Sequence, residues 1–293
     1  MSRLSHRVRS QAERGEAEHP GDAGFVAAVE GSLGYLETIP EEFSFSYRYE
    51  ESPPSGATPN EVLHMVLDGI RGWLGFLLYS TAYEVRHLAN GIVTGLNEGD
   101  YIRVCAAARG LMEHSAVLNE AYTEIDARAE NLRDSTSRTM DRASVEALVE
   151  ILRASLKFAQ ATRFNWVAGV RGDLDAFYTA PDSETPTTNV MTLLEKLPQV
   201  EHGSAVWFYK MLCDFVHPNV ASHMLCADNI ERGNDDTMSY DLKYKPLSNE
   251  ALGDVLHVVG IPVRDSLGLM QGQLAALQNL HASVEELMNL GGE

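Results

Sequence analysis

Apolar residues recur at spacings of three and four over most of the chain after Thr58, and this periodicity constrains the fold more than any other feature. Such spacing places apolar side chains on one face of an α-helix. Similar stripes follow in the segments that begin near residues 101, 141 and 248. The first long stripe consists of Leu63, Val66, Ile70, Trp73, Leu74 and Leu77. The sequence therefore predicts an all-α protein, a bundle of long antiparallel helices.

Residues at the helix ends divide this body into elements. Thr58 and Glu61 are spaced as an N-cap hydroxyl and an acid three residues later, with a proline between them at the first helical position. Gly99 predicts the end of the first long helix, and Asp100 predicts the cap of the second. Pro262 lies inside the last helical stretch, which we expect it to kink.

The predicted organisation is a short N-terminal part followed by one domain. Residues 1–22 are polar and mixed in charge, and they predict a flexible tail. Residues 23–57 predict a short helix and an extended segment in which aromatic and polar residues alternate. Residues 58–290 predict a single helical-bundle domain that contains at most one small β-hairpin, at residues 229–245.

Charge and cysteine content bear on location and partners. The chain has 23 basic and 42 acidic residues, and its net charge of −19 disfavours general binding to nucleic acid or anionic membranes. Three cysteines and a basic N-terminus without a following apolar core predict a cytoplasmic protein with free thiols. Residues 72–83 lack charge, but a bilayer span needs about 20 such residues, so we expect a buried helix and no membrane association.

Two helical segments contain side chains that could carry chemistry. The segment RVCAAARGLMEHSAVLNEAY places Arg109 and His114 five residues apart, with Glu113 beside the histidine. The segment FYKMLCDFVHPNVASHMLC contains Tyr209 and ends its helix at a His-Pro pair that begins with His217. Together, over roughly residues 58–225, they resemble the HEPN superfamily of helical bundles and bacterial abortive-infection proteins, many of unknown function.

The resemblance implies an effector of bacterial defence or toxin type that cuts RNA as a homodimer, with no metal and no cofactor. Such cleavage needs a base for the 2′-hydroxyl and a cation for the charge on the phosphate, which a histidine and an arginine supply. Gly110 departs from the family pattern, which has a polar residue after the arginine. The candidate catalytic residues are Arg109, Glu113, His114 and His217. The candidate substrate-binding residues are Tyr209, Asp214, Asn219, Arg142, Arg153 and Lys157.

Each of these features also has a structural explanation. Arg109 and Glu113, four residues apart, are spaced as an ordinary ion pair on one helix. Arg109 and His114 are about 140° apart around a helix, so they diverge unless a second protomer completes the site. His217 is typical of a helix C-terminus, where a cation complements the dipole. The basic stretch at residues 128–171 is either an RNA track or a solvated face.

These explanations favour a second function, a non-catalytic helical interaction or regulatory protein whose acidic surface binds a protein partner. A homodimer is expected in either case, because the last helix carries a long apolar stripe. Four residues could in principle bind zinc as well, but their spacing is unlike that of structural zinc sites, so no metal is predicted. These residues are Cys213, His217, His223 and Cys226.

Overall fold

The computed structural model places almost all regular structure in helices, which confirms the all-α fold. The helices are α1 (His6–Glu18), α2 (Phe25–Leu36), α3 (Pro59–Glu98), α4 (Tyr101–Asp134), α5 (Val190–Glu195), α6 (Ala205–Val216) and α7 (Asn249–Leu290). The strands are β1 (Ala227–Arg232) and β2 (Met238–Leu242). The structure describes residues 3–18, 24–44, 55–134, 148–151, 154, 189–197, 204–217, 227–233, 237–242 and 246–290.

Local side-chain bonds explain where the long helices begin. The Thr58 amide donates to Glu61 Oε2 at 2.7 Å, and the Glu61 amide donates to Thr58 Oγ1 at 3.3 Å, so the predicted capping box is confirmed. The Arg103 amide donates to Asp100 Oδ1 at 3.1 Å, which caps α4. The caps satisfy backbone donors that the first helical turn leaves without partners.

Helices α3 and α4 form an antiparallel hairpin through small residues. Gly99, in the left-handed conformation with φ of 74°, makes the turn between them. A Cβ built on Gly95 would lie 2.8 Å from Val104 Cγ2 and 3.0 Å from the Asp100 carbonyl oxygen. The facing pairs are Gly95 with Val104, Gly91 with Ala107, and Leu88 with Gly110. From one pair to the next, the residue number falls in α3 and rises in α4. The two helices therefore run antiparallel here, as predicted.

The chain divides into two compact units, whereas the sequence predicted one domain over residues 58–290. The first unit comprises the described residues of Met1–Ile39, Ala82–Ala116 and Leu194–Gly272. The second comprises those of Pro40–Thr81, Val117–Leu193 and Gln273–Glu293. Hydrophobic periodicity could not reveal this division, because the apolar stripes of α3, α4 and α7 continue across the boundaries.

The prediction of a flexible tail is wrong for residues 6–18, which form α1. Leu4 and Val8 are buried at 2% and 0% exposure, together with Ala12. A hydrogen bond adds to this packing, since the Ser5 amide donates to Asn97 Oδ1 at 2.8 Å. The segment has one narrow apolar stripe at a spacing of four, which its polar composition concealed.

Other expectations have mixed outcomes. The hairpin is confirmed, because β1 and β2 pair antiparallel with an irregularity between Asp228 and Glu231. Helix α7 continues through Pro262. Of the aromatic segment, Phe43 is described, and its ring stacks on Tyr79 at 3.9 Å between centroids. Of the helix predicted for residues 141–163, residues 148–151 and 154 are described, and they are helical.

Helix α3 is long and apolar enough to cross a membrane by length and composition alone. Half of its most apolar window is buried inside the protein, and the core helix of a soluble protein passes the same test of length and composition. The expected absence of membrane association therefore stays a prediction.

Candidate functional site

Helices α4 and α6 bring three of the predicted site residues together in the first unit. The Arg109 Nε donates to Glu113 Oε1 at 3.0 Å, one turn along α4. The Tyr209 hydroxyl on α6 donates to the same carboxylate oxygen at 2.7 Å. The Arg109 guanidinium carbon lies 5.4 Å from the centroid of the Tyr209 ring, within the range of a cation–π contact. We call these three residues the arginine cluster.

The N-terminus of α6 fixes the position of Tyr209. The Ser204 side chain caps this helix by accepting from the Trp207 amide at 3.2 Å. Phe208 and Tyr209 are both buried, while Trp207 is 54% exposed. The apolar side of α6 therefore packs inward, and this packing places the Tyr209 hydroxyl next to Glu113.

Electrostatics in the arginine cluster favour its hydrogen-bonded state. Burial raises the pKa of Tyr209 to about 12, and the hydrogen bond to Glu113 adds to the rise. Burial lowers the pKa of Arg109, but the bonds to Glu113 and Tyr209 outweigh it, and the net shift is upward. The phenol therefore keeps its proton at neutral pH and acts as a donor, not as a base.

His114 contacts a different helix from the one that Arg109 contacts. Its Nε2 lies 3.1 Å from Glu84 Oε2 on α3, whereas Arg109 contacts Tyr209 on α6. This divergence follows from a spacing of five residues on one helix. Within one protomer, the Arg-x4-His pair is therefore split between two helix–helix contacts.

His217 lies at the C-cap of α6, as its position before a proline predicted. Its amide donates to the Cys213 carbonyl at 2.9 Å, and its side chain is exposed. Asp214 is exposed on the same helix. The remaining predicted substrate-binding residues lie outside the described residues: Asn219, Arg142, Arg153 and Lys157.

The described residues contain no group of three or more histidine, cysteine or acidic side chains that could hold a metal. Two of the four zinc candidates, His223 and Cys226, lie outside the described part of the chain, so the metal-free state stays a prediction. Burial raises the pKa of the Cys105 thiol to about 12. Because a thiol with this pKa stays protonated at neutral pH, Cys105 is a core residue and not a nucleophile.

A cavity of about 580 Å³, which the sequence did not predict, lies in the first unit. Helices α4, α6 and α7 supply most of its wall, together with Leu197 after α5. Phe208 faces this cavity while the next residue, Tyr209, belongs to the arginine cluster. The two features thus occupy neighbouring faces of α6. The sequence does not predict this cavity from Pro262 and Gly268 in an apolar helix, because a cavity depends on how several segments pack.

Comparisons with protein-family models, with curated proteins and with solved structures gave no match. The resemblance to the HEPN superfamily therefore rests on the short motifs around Arg109 and His217 alone.

Proposed function

We propose that this protein is a non-catalytic helical protein that acts by binding a protein partner. The observation that supports this most directly is the state of Arg109. Its Nε bonds to Glu113, its guanidinium lies against the Tyr209 ring, and Tyr209 bonds to Glu113 in turn. His114, the nearest candidate base in sequence, pairs with Glu84 instead. Such closed networks stabilise a fold and need no substrate to explain them.

The outer side of α6 offers a surface for a partner. Trp207 is 54% exposed, and Lys210, Asp214 and His217 on the same helix are exposed too. Tryptophan is among the residues that contribute most to binding when a partner covers it. A net charge of −19 favours a basic partner and speeds its association. The proposed partner is therefore a basic protein with an apolar recess for the Trp207 indole.

Affinity purification from the cells that produce the protein tests this proposal. Trp207→Ala removes the proposed anchor, and Ile102→Ala is the matched control, because Ile102 is a similarly exposed apolar residue on α4 at 49%. We expect one basic protein to bind the wild type and Ile102→Ala, and to be lost with Trp207→Ala. Retention by all three proteins, or no specific binding to the wild type, would contradict the proposal.

A metal-independent ribonuclease is the second candidate. It is favoured by the position of His217, which is exposed at the end of the helix that carries Tyr209 to Arg109. The Arg109 side chain is 29% exposed, so a phosphate from solvent could reach it. Because His114 of the same chain contacts Glu84, the base would have to be His217 or a histidine from a second protomer.

A cleavage assay with chelator and a defined RNA separates the two functions. Under the binding proposal, the wild type leaves the RNA intact. Cleavage by the wild type that falls about 10²- to 10⁴-fold in folded Arg109→Lys and in one histidine variant would establish the ribonuclease. His114→Ala and His217→Ala identify which histidine acts. Light scattering at micromolar concentration tests the homodimer that the family resemblance implies.

A further inference from the structure

A histidine of the second unit is buried against aromatic rings. His281 on α7 is 6% exposed, and its Nε2 has no hydrogen-bond partner among the described residues. Buried polar atoms nearly always have such a partner. Both ring nitrogens carry a proton in the imidazolium form, so protonation would leave a buried N–H donor at Nε2 without an acceptor.

Three distances between ring centroids place His281 beside the aromatic rings and not over them. Phe43 and Tyr79 form a stacked pair at 3.9 Å, and His281 lies 6.0 Å from Phe43 and 6.5 Å from Tyr79. A ring above the outer face of Phe43 would lie much farther from Tyr79, near the sum of the other two distances. The imidazole therefore meets the edges of both rings.

Gly75 of α3 shows that Nε2 is on the side of the stacked pair. The Cβ position of this glycine would lie 2.5 Å from Phe43 Cζ and 3.1 Å from His281 Nε2. Cζ is the outermost carbon of the phenylalanine ring. The nitrogen and the ring edge therefore lie close to one point, which the missing side chain of Gly75 leaves open to them.

Protonation changes the sign of this contact. The face of an aromatic ring carries partial negative charge and its edge partial positive charge. A cation is stabilised when it lies over a ring face, as in a cation–π contact. The imidazolium of His281 would instead bring positive charge to the positive edges of Phe43 and Tyr79. The neutral ring avoids this repulsion, so the stacked pair favours neutral His281.

The charged groups around His281 act in both directions. Burial lowers the pKa of His281, whereas the charge of Glu285 on α7 and a hydrogen bond with the Arg71 backbone raise it. The positive charge of Arg71 on α3 lowers it again, and the net shift is downward. Tyr79 is the other titratable residue that contacts the ring. His281 is therefore neutral at neutral pH and takes up its proton in mild acid.

Phe43 can leave the stacked pair without unpacking its neighbours along the chain. It is half-buried, whereas the other residues of 40–44 are exposed. The charged residues of this segment are Glu41 and Glu42. Movement of Phe43 would therefore expose one aromatic ring and leave the helical core intact.

We propose that His281 is a pH-sensitive switch, whose neutral form holds Phe43 on Tyr79 and whose protonated form releases Phe43. Release lets the imidazolium of His281 reach water and removes the nearer of the two positive ring edges. The switch lies within the second unit, whereas Trp207, the anchor of the proposed partner surface, belongs to the first unit. The two proposals therefore stand or fall separately.

Nuclear magnetic resonance of the Phe43 ring tests the switch. In protein with isotope-labelled phenylalanine, the signals of Phe43 are those that disappear in Phe43→Leu. The ring current of Tyr79 shifts these signals in the stacked pair, so saturation transfer measures the ratio of released to stacked Phe43. We expect this ratio to rise about threefold to tenfold as the pH falls from about 7.5 to about 5, because release takes up a proton.

Two histidine variants on α7 show which group takes up that proton. His281→Gln keeps a polar side chain that does not titrate, so the ratio should no longer change with pH. His257→Gln is the matched control, because His257 is an exposed histidine on the same helix. This control should keep the rise seen in the wild type.

The reverse measurement remains informative if His281→Gln does not fold. If protonation of His281 releases Phe43, then removal of the Phe43 ring must make protonation easier. We expect the pH midpoint of His281, followed by its own ring signals, to rise towards 6.5 in Phe43→Ala. The midpoint of His257 should be the same in both proteins.

Three results would overturn the switch: Phe43 that stays stacked while His281 is protonated, a pH-dependent release that persists in folded His281→Gln, or a midpoint of His281 that Phe43→Ala leaves unchanged. Circular dichroism verifies that each variant is folded. Because these measurements contain no protein partner, their failure leaves the proposed partner binding untouched.

Discussion

Each of the two units contains a glycine of α3 whose Cβ position is closed by close neighbours, but the neighbours differ. In the first unit, Gly95 of α3 lies against the α4 end of the hairpin. A Cβ there would be 2.8 Å from Val104 Cγ2, and also 3.0 Å from the Asp100 carbonyl oxygen and 3.2 Å from the Val104 amide nitrogen, which are backbone atoms. In the second unit, Gly75 of the same helix lies under a side chain, since a Cβ there would be 2.5 Å from Phe43 Cζ. Both positions exclude a methyl group, Gly95 by backbone atoms together with the Val104 side chain, and Gly75 by a ring.

These contacts indicate where the packing can adjust to a larger residue. Backbone in a helix hairpin moves only if the two helices separate, whereas a ring can turn or shift. The ring in question belongs to a small stack, in which Phe43 lies over Tyr79 at 3.9 Å and His281 meets Phe43 edge-on at 6.0 Å. We therefore expect the α3–α4 hairpin to be rigid and the aromatic stack to tolerate substitution better.

The largest effect is expected for Gly95→Leu, which would push α3 and α4 apart. We expect a loss of about 3 kcal/mol or more in the free energy of unfolding, measured by urea denaturation. Gly34→Leu is the matched control, because Gly34 on α2 has nothing within 4 Å of its Cβ position. That control should be neutral or stabilising, since leucine has the higher helix propensity. Equal effects at both positions would refute the rigid hairpin.

A smaller loss, about 1–2 kcal/mol, is expected for Gly75→Ala, because the Phe43 ring has to move. The double variant Gly75→Ala with Phe43→Leu shows whether the ring alone accounts for this cost. We expect the cost of the added methyl to fall to near zero once the ring is gone, a coupling that a double-mutant cycle measures. A cost that persists without the ring would mean that backbone limits this site too.

Tyr209→Phe should cost about 1 kcal/mol, because it removes one hydrogen bond to Glu113 while the bond from Arg109 remains. The stability loss would be read from thermal unfolding. Under the ribonuclease hypothesis, the same variant would alter RNA cleavage without a comparable loss of stability, which distinguishes a structural from a catalytic role.

The smallest effect is a pH dependence from His281. Burial lowers the pKa of His281 below 6.5, although the charge of Glu285 and a hydrogen bond with the Arg71 backbone oppose the shift. Because the unfolded chain binds this proton more readily, stability is full above pH 6.5 and falls as pH drops from there towards the lowered pKa. Urea denaturation over this pH range should show a steeper fall for the wild type than for His281→Leu. Parallel curves would contradict the assignment.

Sequence predicted best what depends on neighbours along the chain. Thr58 with Glu61, Asp100 with Arg103 and Arg109 with Glu113 are each three or four residues apart, so helix geometry alone specifies them. The hydrogen bond from Tyr209 to Glu113 spans 96 residues, and the sequence suggested the proximity only through a family resemblance.

The misses have a common physical cause. The apolar stripe that packs α1 consists of Val8 and Ala12, together with Leu4 just before the helix. It is too short to stand out from a polar background, yet packing decides the structure of this segment. The cavity beside Ser115 is the space that four segments leave unfilled, and no pattern in one segment encodes it. Tertiary packing overrides local composition in both cases.

The short turn at Gly99 bears on the order in which contacts form while the protein is synthesised. Only Gly99 and Asp100 separate α3 from α4, so closing this hairpin requires little loop entropy, and it can form as soon as both helices leave the ribosome. Tyr209 is synthesised 96 residues after Glu113, roughly 5–20 s later at typical rates of translation. During those seconds Arg109 and Glu113, which both lie on α4, can pair with each other but lack their contacts with Tyr209.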